Sequence, residues 1–541
     1  MKKKIKYAEF PDMNTVKDIV IFGGKKGADK PQYTFYNFDG EVEMKTFAQV
    51  NYDLTGLGQY LYKLGLRGKK VAILSENSYY WIACYFSIIT GKITAVPMDP
   101  KLPDDDIIDI MIRSGCNAIY YSEDFKDTVE KMKKTDGVVI EQYIKIEDFY
   151  SMVEEGHNEV KNGVESYLED DVLPSDLAFL VYTSGTTGKS KGVMLSQENV
   201  AADSVASCRV MTGGPAIGFL PLHHAFSWVG ALFSGNLLTE WGFICRSLKD
   251  IQKDMNTYHP QNFSAVPLAV ETIYKKIWFT AKKSGREEML KKGLKISNFL
   301  LKLGIDKRRK IFSEILNNLG GNLEMIVCGG AYLDEQYEKG MEAFGIKIIN
   351  GYGITECSPA VTCNRLDAYK VGSVGIPLPC NEIKIKDPDE DGIGEICVKG
   401  KNVMVGYYND PEATAEVFDG DWFLTGDYGY IDEDGFLFFK GRKKNLIILS
   451  NGKNVSPEEI EDKLSTIDYV KEVVVYEEKG YITAEFFLDT VETPDAKGRI
   501  KADVNEINRK MPSYKQVTRI KTRDNEFPKT TTLKILRDYK K

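Results

Sequence analysis

Leu180-Val-Tyr-Thr-Ser-Gly-Thr-Thr-Gly-Lys-Ser-Lys-Gly-Val193 is the stretch from which the rest of the chain is read. Apolar residues from 177 to 181 predict a short buried strand. The chemistry then changes at once: hydroxyls at Thr183, Ser184, Thr186 and Thr187 stand beside Gly185, Gly188, Lys189 and Lys191. Glycines let a backbone turn tightly and present its N–H groups to a ligand. Hydroxyls donate to oxyanions and lysines neutralise charge. Together these are the parts of a phosphate cradle; the plainer reading is an ordinary Ser/Thr/Gly turn. A GxxxxGK[ST] loop fits at Gly188-Lys189-Ser190, but its first glycine falls at Thr183, so that phosphate loop is rejected.

The 541 residues are too many for one core, so two or more domains are expected. Hydrophobic content of 43% and charged content of 28% fit a soluble globular protein. A formal charge of −8 argues against broad nucleic-acid binding. Nine scattered cysteines without a CxxC pair, and only four histidines, make neither a disulfide framework nor a zinc site, and point to a reducing, cytoplasmic setting. The basic start, Met1-Lys-Lys-Lys-Ile-Lys6, lacks a following apolar h-region, so no signal peptide is expected. The most apolar run, 79–89, is too short to span a bilayer and predicts a buried helix.

In chain order, 32–38 alternates as a strand before an Asp39-Gly40 turn. Strands at 71–74 and 93–96 flank the helix 79–89, a βαβ unit that implies a parallel sheet. A helix from 104 and a strand at 118–121 follow, and 122–175 reads as polar and less regular. Gly218-Phe-Leu-Pro-Leu-His-His-Ala-Phe226 reads as a strand ending in two histidines, which either line a pocket or serve a structural role. Residues 281–312 are basic, with Leu290, Leu294, Leu301 and Ile305 as a broken apolar stripe. Such a segment lies on a membrane surface or forms a solvated helix face.

A second βαβ unit is predicted from 324 to 350. Its two glycine-containing turns, at Gly329-Gly330 and Gly351-Tyr-Gly-Ile-Thr-Glu356, then lie past strand ends, where open α/β sheets bind ligands. Tyr352 would stack on a base, and Glu356 beside Thr355 would hold Mg²⁺ on a phosphate. Asp387-Pro-Asp-Glu-Asp-Gly392 starts like a calcium loop, but its closing position is Val398, so it reads as a hairpin turn. Asp427, after the apolar run Trp422-Phe-Leu-Thr-Gly, is either a ribose acceptor or a cap. The basic stretch Gly441-Arg-Lys-Lys-Asn445 marks a domain boundary. Ser456-Pro-Glu-Glu459 opens a helix with Ser as N-cap and Pro at N1. Strands near 470–476, 481–488 and 517–521 and a helix near 499–510 complete a small α+β domain.

These stretches, in this order, resemble the adenylate-forming superfamily of acyl-CoA synthetases, adenylation domains and luciferases, from about residue 70 to the end. Tyr182-Thr-Ser-Gly-Thr-Thr-Gly-Lys-Ser-Lys-Gly192 resembles its phosphate loop. Gly351 to Glu356 resembles its adenine and Mg²⁺ motif, and Thr425-Gly-Asp427 its ribose motif. Gly441-Arg442 with Lys444 resembles its hinge, and Thr532-Leu-Lys-Ile535 its C-terminal lysine motif.

The resemblance implies an α/β fold: a large N-terminal domain of parallel βαβ sheets plus a β-barrel-like segment, residues 1–441, and a small mobile α+β C-terminal lid, residues 442–541. It implies that Thr183, Ser184, Gly185, Thr186, Thr187, Gly188 and Lys191 hold phosphates. Gly330, Gly351 and Tyr352 would frame adenine, and Asn350 and Gly353 would also contact ATP. Thr355 would touch the α-phosphate, Glu356 would bind Mg²⁺, and Asp427 with Arg442 would hold the ribose. Lys534 would serve the first half-reaction only, Lys444 and Gly452 the hinge and CoA side, and His224 with Phe226 the acyl pocket; Lys534, Thr355, Glu356 and His224 would be the catalytic residues. Leu533 stands where the family usually has glycine.

The activity implied is that of an AMP-forming fatty acid–CoA ligase using ATP, Mg²⁺ and CoA. Neither step needs a protein nucleophile, which agrees with the lack of a Ser/His/Asp arrangement. Pro221-Leu-His-His-Ala-Phe226 has no Asp for an amino-acid ammonium, and the 281–312 insert resembles that of long-chain fatty acyl-CoA synthetases. An aryl acid, or delivery to an acyl carrier protein, is the alternative. A homodimer and peripheral contact with the inner membrane surface through 281–312 complete the expected partners.

Overall fold

The computed structural model describes residues 9–183, 190–211, 213–228, 233–239, 241–245, 250–448, 454–529, 535 and 537. Two sheets form the body. The first has seven strands, and five of them run parallel in the order Leu177–Thr183, Thr94–Pro97, Lys70–Leu74, Ala118–Tyr121, Gln142–Lys145. The second has nine strands. Its centre is parallel through Lys347–Gly353, Met325–Cys328, Asn262–Ala265, Ala216–Gly218 and Gly242–Ile244.

The helix Tyr79–Ile89 lies between the sheets, and all eleven of its residues are buried. Ser78 caps it by accepting from Trp81 N, and the absence of charged residues leaves no face that needs water. Tyr79 stacks on Phe35 of the larger sheet at 4.3 Å, and Tyr85 on Phe179 of the smaller at 5.1 Å. One helix thus fuses the two sheets into a single core. No helix among the described residues is long and apolar enough to cross a membrane.

The segment expected to be barrel-like is a five-stranded antiparallel sheet. Asn381–Lys386, Gly394–Gly400, Trp422–Ile431 and Phe418–Asp419 follow one another, and Leu437–Arg442 pairs with Trp422–Ile431. The hairpin at 387–393 joins the first two strands, with Asp389 accepting from the N–H groups of Asp391 and Ile393. After residue 446 a smaller C-terminal domain builds its own core. Ile460, Leu464, Val475, Phe486 and Val504 pack beneath a three-stranded sheet. Ser456 caps the helix Pro457–Ser465 as read from the sequence.

Several local expectations change. Residues 122–175 are more regular than their polarity suggests. They hold the strand Gln142–Lys145 at the edge of the sheet and the helix Phe149–Lys161, which packs on the helix Phe47–Lys63 through the narrow face of Phe149, Met152, Val153 and Gly156. Pro31–Tyr36 does not alternate in burial; residues 32–35 are all covered, because a second layer lies on its outer face. The strand before the two histidines ends at Gly218, leaving 219–224 irregular. The basic segment folds as Glu287–Lys302 after Pro267–Lys283, and its exposed stripe is Met289, Ile296, Phe299 and Leu303. Leu290, read as part of an outer stripe, is buried instead against Phe312 and Phe344.

Asp203, on the helix Gln197–Cys208, is fully buried, and burial holds its carboxyl well above the usual range. Asn402 donates to it at 3.3 Å and also to the carbonyls of Cys357 and Ala360. An acid whose folded pKa is raised costs stability as pH climbs from its unfolded value through its folded one. Asp203→Asn should therefore raise the melting temperature at pH 8 by a few degrees, the scale of about 1 kcal/mol in a large domain. The gain should shrink toward pH 5; a gain independent of pH in thermal melts would show that Asp203 is ionised in the fold.

Candidate functional site

The stretch Gly351–Glu356 is the hub. The sequence places it in a loop past a strand end. In the structure the strand Lys347–Gly353 runs through both glycines and pairs antiparallel with Ala360–Cys363. The strand outlasts its parallel neighbour because the chain folds back and supplies a new partner on the same edge. Glycine is demanded at 353, where a Cβ would sit 2.2 Å from Pro359 O.

Three groups of side chains meet along this hub. At Gly351 they are apolar: a Cβ on Gly329 would lie 3.3 Å from the Phe226 ring and 3.6 Å from Gly351 O. Phe226, the Gly329 turn and the hub therefore share one wall. Gly330 follows with φ +85°, a conformation that favours glycine.

At Tyr352 the contact is polar. Its hydroxyl donates to Asp427 Oδ2 at 2.8 Å, and its ring stacks on Phe439 at 6.0 Å. Asp427 is 2% exposed and lies within the strand Trp422–Ile431, not at its end; the antiparallel partner strand carries Arg442 directly opposite. Arg442 Nε is 3.3 Å from Asp427 Oδ1, with the guanidinium half in solvent. Burial and then the Asp427 charge push the Tyr352 phenol well up, so it remains a donor. Beside this pair, Glu395 accepts from Gly426 N at 3.1 Å and from Lys443 Nζ at 2.8 Å.

At Glu356, in the turn Thr355–Cys357, Oε1 accepts from the Tyr407 hydroxyl at 3.0 Å, and Met404 N donates to the Glu356 carbonyl at 2.8 Å. Lys191 Nζ sits over the Tyr407 ring at 4.8 Å. Lys191 opens the strand Lys191–Ser196 and pairs with Thr183, the last residue of Leu177–Thr183. Of these two paired strands, the second approaches Glu356: Lys191 reaches toward it across the Tyr407 ring. Ser184, Gly185, Thr186, Thr187 and Gly188 lie outside the described residues, as do Gly452 and Lys534.

The other expected residues are placed as follows. The Asn350 amide donates to Glu338 Oε2 at 3.0 Å, so its side chain is engaged with the helix Glu335–Ala343. The His224 ring lies 4.3 Å from the His223 ring, two residues from Phe226. Lys444 is exposed in the turn Lys443–Asn445, immediately after the strand that carries Arg442. Tyr407 and Phe439 were missed from the sequence. Each draws its contact from a partner more than fifty residues away, so no local pattern distinguishes it from the aromatic beside it, Tyr408 or Phe438.

The model of the AMP-binding enzymes matches residues 24–408, and that of the AMP-binding enzyme C-terminal domain matches 444–539. Long-chain-fatty-acid–CoA ligase 5 of Mus musculus is 30% identical over 491 residues, covering 83% of this chain and 71% of its own. The long-chain-fatty-acid–CoA ligase of Escherichia coli O6:H1 is 29% identical over 556 residues, covering 94% of this chain and 91% of its own. Among solved structures, an anthranilate CoA ligase in complex with anthranoyl-AMP superposes with a TM-score of 0.77 at 21% identity, over 98% of this chain and 97% of its own. The o-succinylbenzoate CoA synthetase of Bacillus subtilis, with its acyl-adenylate intermediate, gives 0.74 at 22% identity, over 97% of each.

Proposed function

The chain belongs to the AMP-binding enzyme family, and from that premise we propose that it activates a fatty acid of long or medium chain as its acyl-adenylate and passes the acyl group to CoA. The coarse activity is that of an adenylate-forming acid–CoA ligase. The observation that carries the finer site reading is the hub: residues 351 to 356 touch the Phe226 wall, the Asp427–Arg442 pair and the Lys191–Tyr407–Glu356 chain in turn.

A carboxylate is a poor acyl donor because its leaving group is an oxide. In the first step its oxygen attacks the α-phosphorus of ATP, and pyrophosphate leaves. In the second a thiolate attacks the carbonyl carbon of the mixed anhydride, and AMP leaves. The first step brings two anions together, so charge neutralisation dominates its barrier. Lys191 and the hydroxyl loop would take the β- and γ-phosphates, Thr355 the α-phosphate, and Asp427 with Arg442 the ribose hydroxyls. Glu356 suits Mg²⁺, since that ion takes one or two carboxylates and leaves its remaining positions to water and phosphate. Bound there, Mg²⁺ supplies positive charge to the phosphate oxygens.

Tyr407 would position Glu356 through its hydroxyl. Tyr407→Phe should raise the Mg²⁺ concentration needed for half-maximal pyrophosphate exchange about tenfold and leave the fold unchanged, the scale of losing an outer-shell partner. An unchanged Mg²⁺ dependence would remove Tyr407 from the site.

We propose residues 442–541 as a lid that swings about Lys444 between the two steps, because Lys534 would obstruct the incoming thiol. The acid itself is identified by measuring thioester formation across fatty and aromatic acids. Long or medium fatty acids should turn over best; a preference for benzoate-type acids would move the assignment to an aryl-CoA ligase, and acyl transfer only to acyl carrier protein would replace CoA as acceptor.

The helix Glu287–Lys302 also offers a face for an anionic lipid surface. Met289, Ile296, Phe299 and Leu303 are each more than half exposed, among eleven Lys and Arg against three Asp and Glu between residues 282 and 310. Pelleting with anionic vesicles should fall when Lys292 and Lys295 become Gln, by about 1 kcal/mol per charge removed. Unchanged pelleting would exclude this face.

A further inference from the structure

Asp99, His223 and His224 bring three potential ligand atoms within 4.8 Å of one another, the one place among the described residues where three such groups converge. We propose that they form a binding site for a divalent transition-metal cation, of the Zn²⁺ or Co²⁺ class, separate from the Mg²⁺ position assigned to Glu356. The inference stands independently of the ligase reading, because it concerns binding to the chain alone.

The decisive distance is between His223 Nε2 and Asp99 Oδ2, 3.5 Å. That is too long for a hydrogen bond, and His223 Nε2, though buried, has no hydrogen-bond partner among the described residues. Two ligands of one tetrahedral ion, bound at about 2.0–2.1 Å, stand about 3.4 Å apart. The separation is that of a loose ion pair, long for a hydrogen bond, and it matches an edge of a coordination shell. Side-chain exposure is 9% at His223 and 12% at Asp99, so an ion there would be largely shielded from water. Two imidazoles and one carboxylate suit borderline cations and not Mg²⁺, which prefers oxygen.

The supports are already in place. Asp99 follows the strand Thr94–Pro97, and its Oδ1 accepts from Lys101 N at 2.9 Å, which turns Oδ2 toward His223. The histidine segment is pinned at both ends. Asn77 accepts from Leu222 N at 3.0 Å and donates to Leu220 O at 2.8 Å; Trp228 Nε1 donates to Leu222 O at 2.8 Å, and Ser227 Oγ to Pro221 O at 2.7 Å. Ligands held by such bonds before the ion arrives lose little freedom on binding it.

The test is a Co²⁺ titration of the full chain without ATP, Mg²⁺ or acid, followed by visible absorption. One saturable equivalent with ligand-field bands, no thiolate charge-transfer band, and displacement by Zn²⁺ are expected. His223→Ala and Asp99→Asn should each weaken Co²⁺ at least tenfold, the lower end being what loss of even an outer-shell partner costs, about 10–100-fold. Glu356→Gln should leave the affinity unchanged. The proposal is overturned by absence of a saturable band in the unmodified chain, by a thiolate band, by loss of the signal in Glu356→Gln, or by unchanged affinity in His223→Ala. Should His223→Ala fail to fold in thermal melts, the near-isosteric Asp99→Asn decides alone.

Discussion

Asp427→Asn is expected to keep the fold and to lower acid-dependent pyrophosphate exchange by about 100-fold, the scale of losing one preorganised group that binds the reacting complex. The expectation rests on which contacts survive. Asparagine still accepts the Tyr352 hydroxyl, which sits 2.8 Å from Asp427, so no buried donor is orphaned. What disappears is the charge that faces Arg442 across the strand pair. Half-exposed arginine loses a partner it can replace with water, whereas a ribose diol loses an acceptor it cannot. Asp427→Ala adds a structural cost of about 1–3 kcal/mol, because the buried Tyr352 hydroxyl then loses its carboxylate acceptor. Melting temperature separates the two effects: the asparagine variant should melt as the parent does, the alanine variant lower. Undiminished exchange in Asp427→Asn would remove this carboxylate from the nucleotide site.

Lys534→Ala should lower acyl-adenylate formation by about 100- to 1,000-fold and leave thioester formation from supplied acyl-adenylate within a few-fold of the parent. The asymmetry follows from charge. Only the first step joins a carboxylate to a polyanion; the second starts from an adenylate whose phosphate carries one charge, and there a cation in the thiol path is of no use. The assignment comes from the Thr532-Leu-Lys-Ile535 motif, in which Leu533 replaces the usual glycine. The two half-reactions are measured separately, by pyrophosphate release and by thioester yield from synthetic acyl-adenylate. Equal losses in a folded variant would show that Lys534 supports the structure and not the step.

Much of the fold was legible. The helix Tyr79–Ile89, the strands Lys70–Leu74 and Ala118–Tyr121, and the Ser456 cap were readable from runs of apolar residues and from capping chemistry, both short-range signals. The errors share a cause. Residues 122–175 looked irregular because the helix Phe149–Lys161 buries only a narrow face, Phe149, Met152, Val153 and Gly156, against a neighbouring helix. The glycines at 351 and 353 looked like a turn because glycine weakens a strand; here it admits the close antiparallel neighbour Ala360–Cys363. Asp427 looked like a strand end because an acid seldom sits inside a buried strand without a partner, and Arg442 lies on the next strand.

The sequence by itself determined the family and singled out the candidate groups: the hydroxyl-rich stretch, Glu356, Asp427, Arg442 and Lys534. Side-chain chemistry and residue order survive without any knowledge of contacts. Only the tertiary structure decided which of those groups meet. The Tyr352–Asp427 bond spans 75 residues and the Tyr407–Glu356 bond 51, and the Asp99–His223–His224 cluster joins a strand end of one sheet to the irregular segment after a strand of the other. Such contacts are fixed by how a buried helix spaces two sheets and by where antiparallel strands turn. That packing is a property of the whole chain, and no window of local sequence contains it.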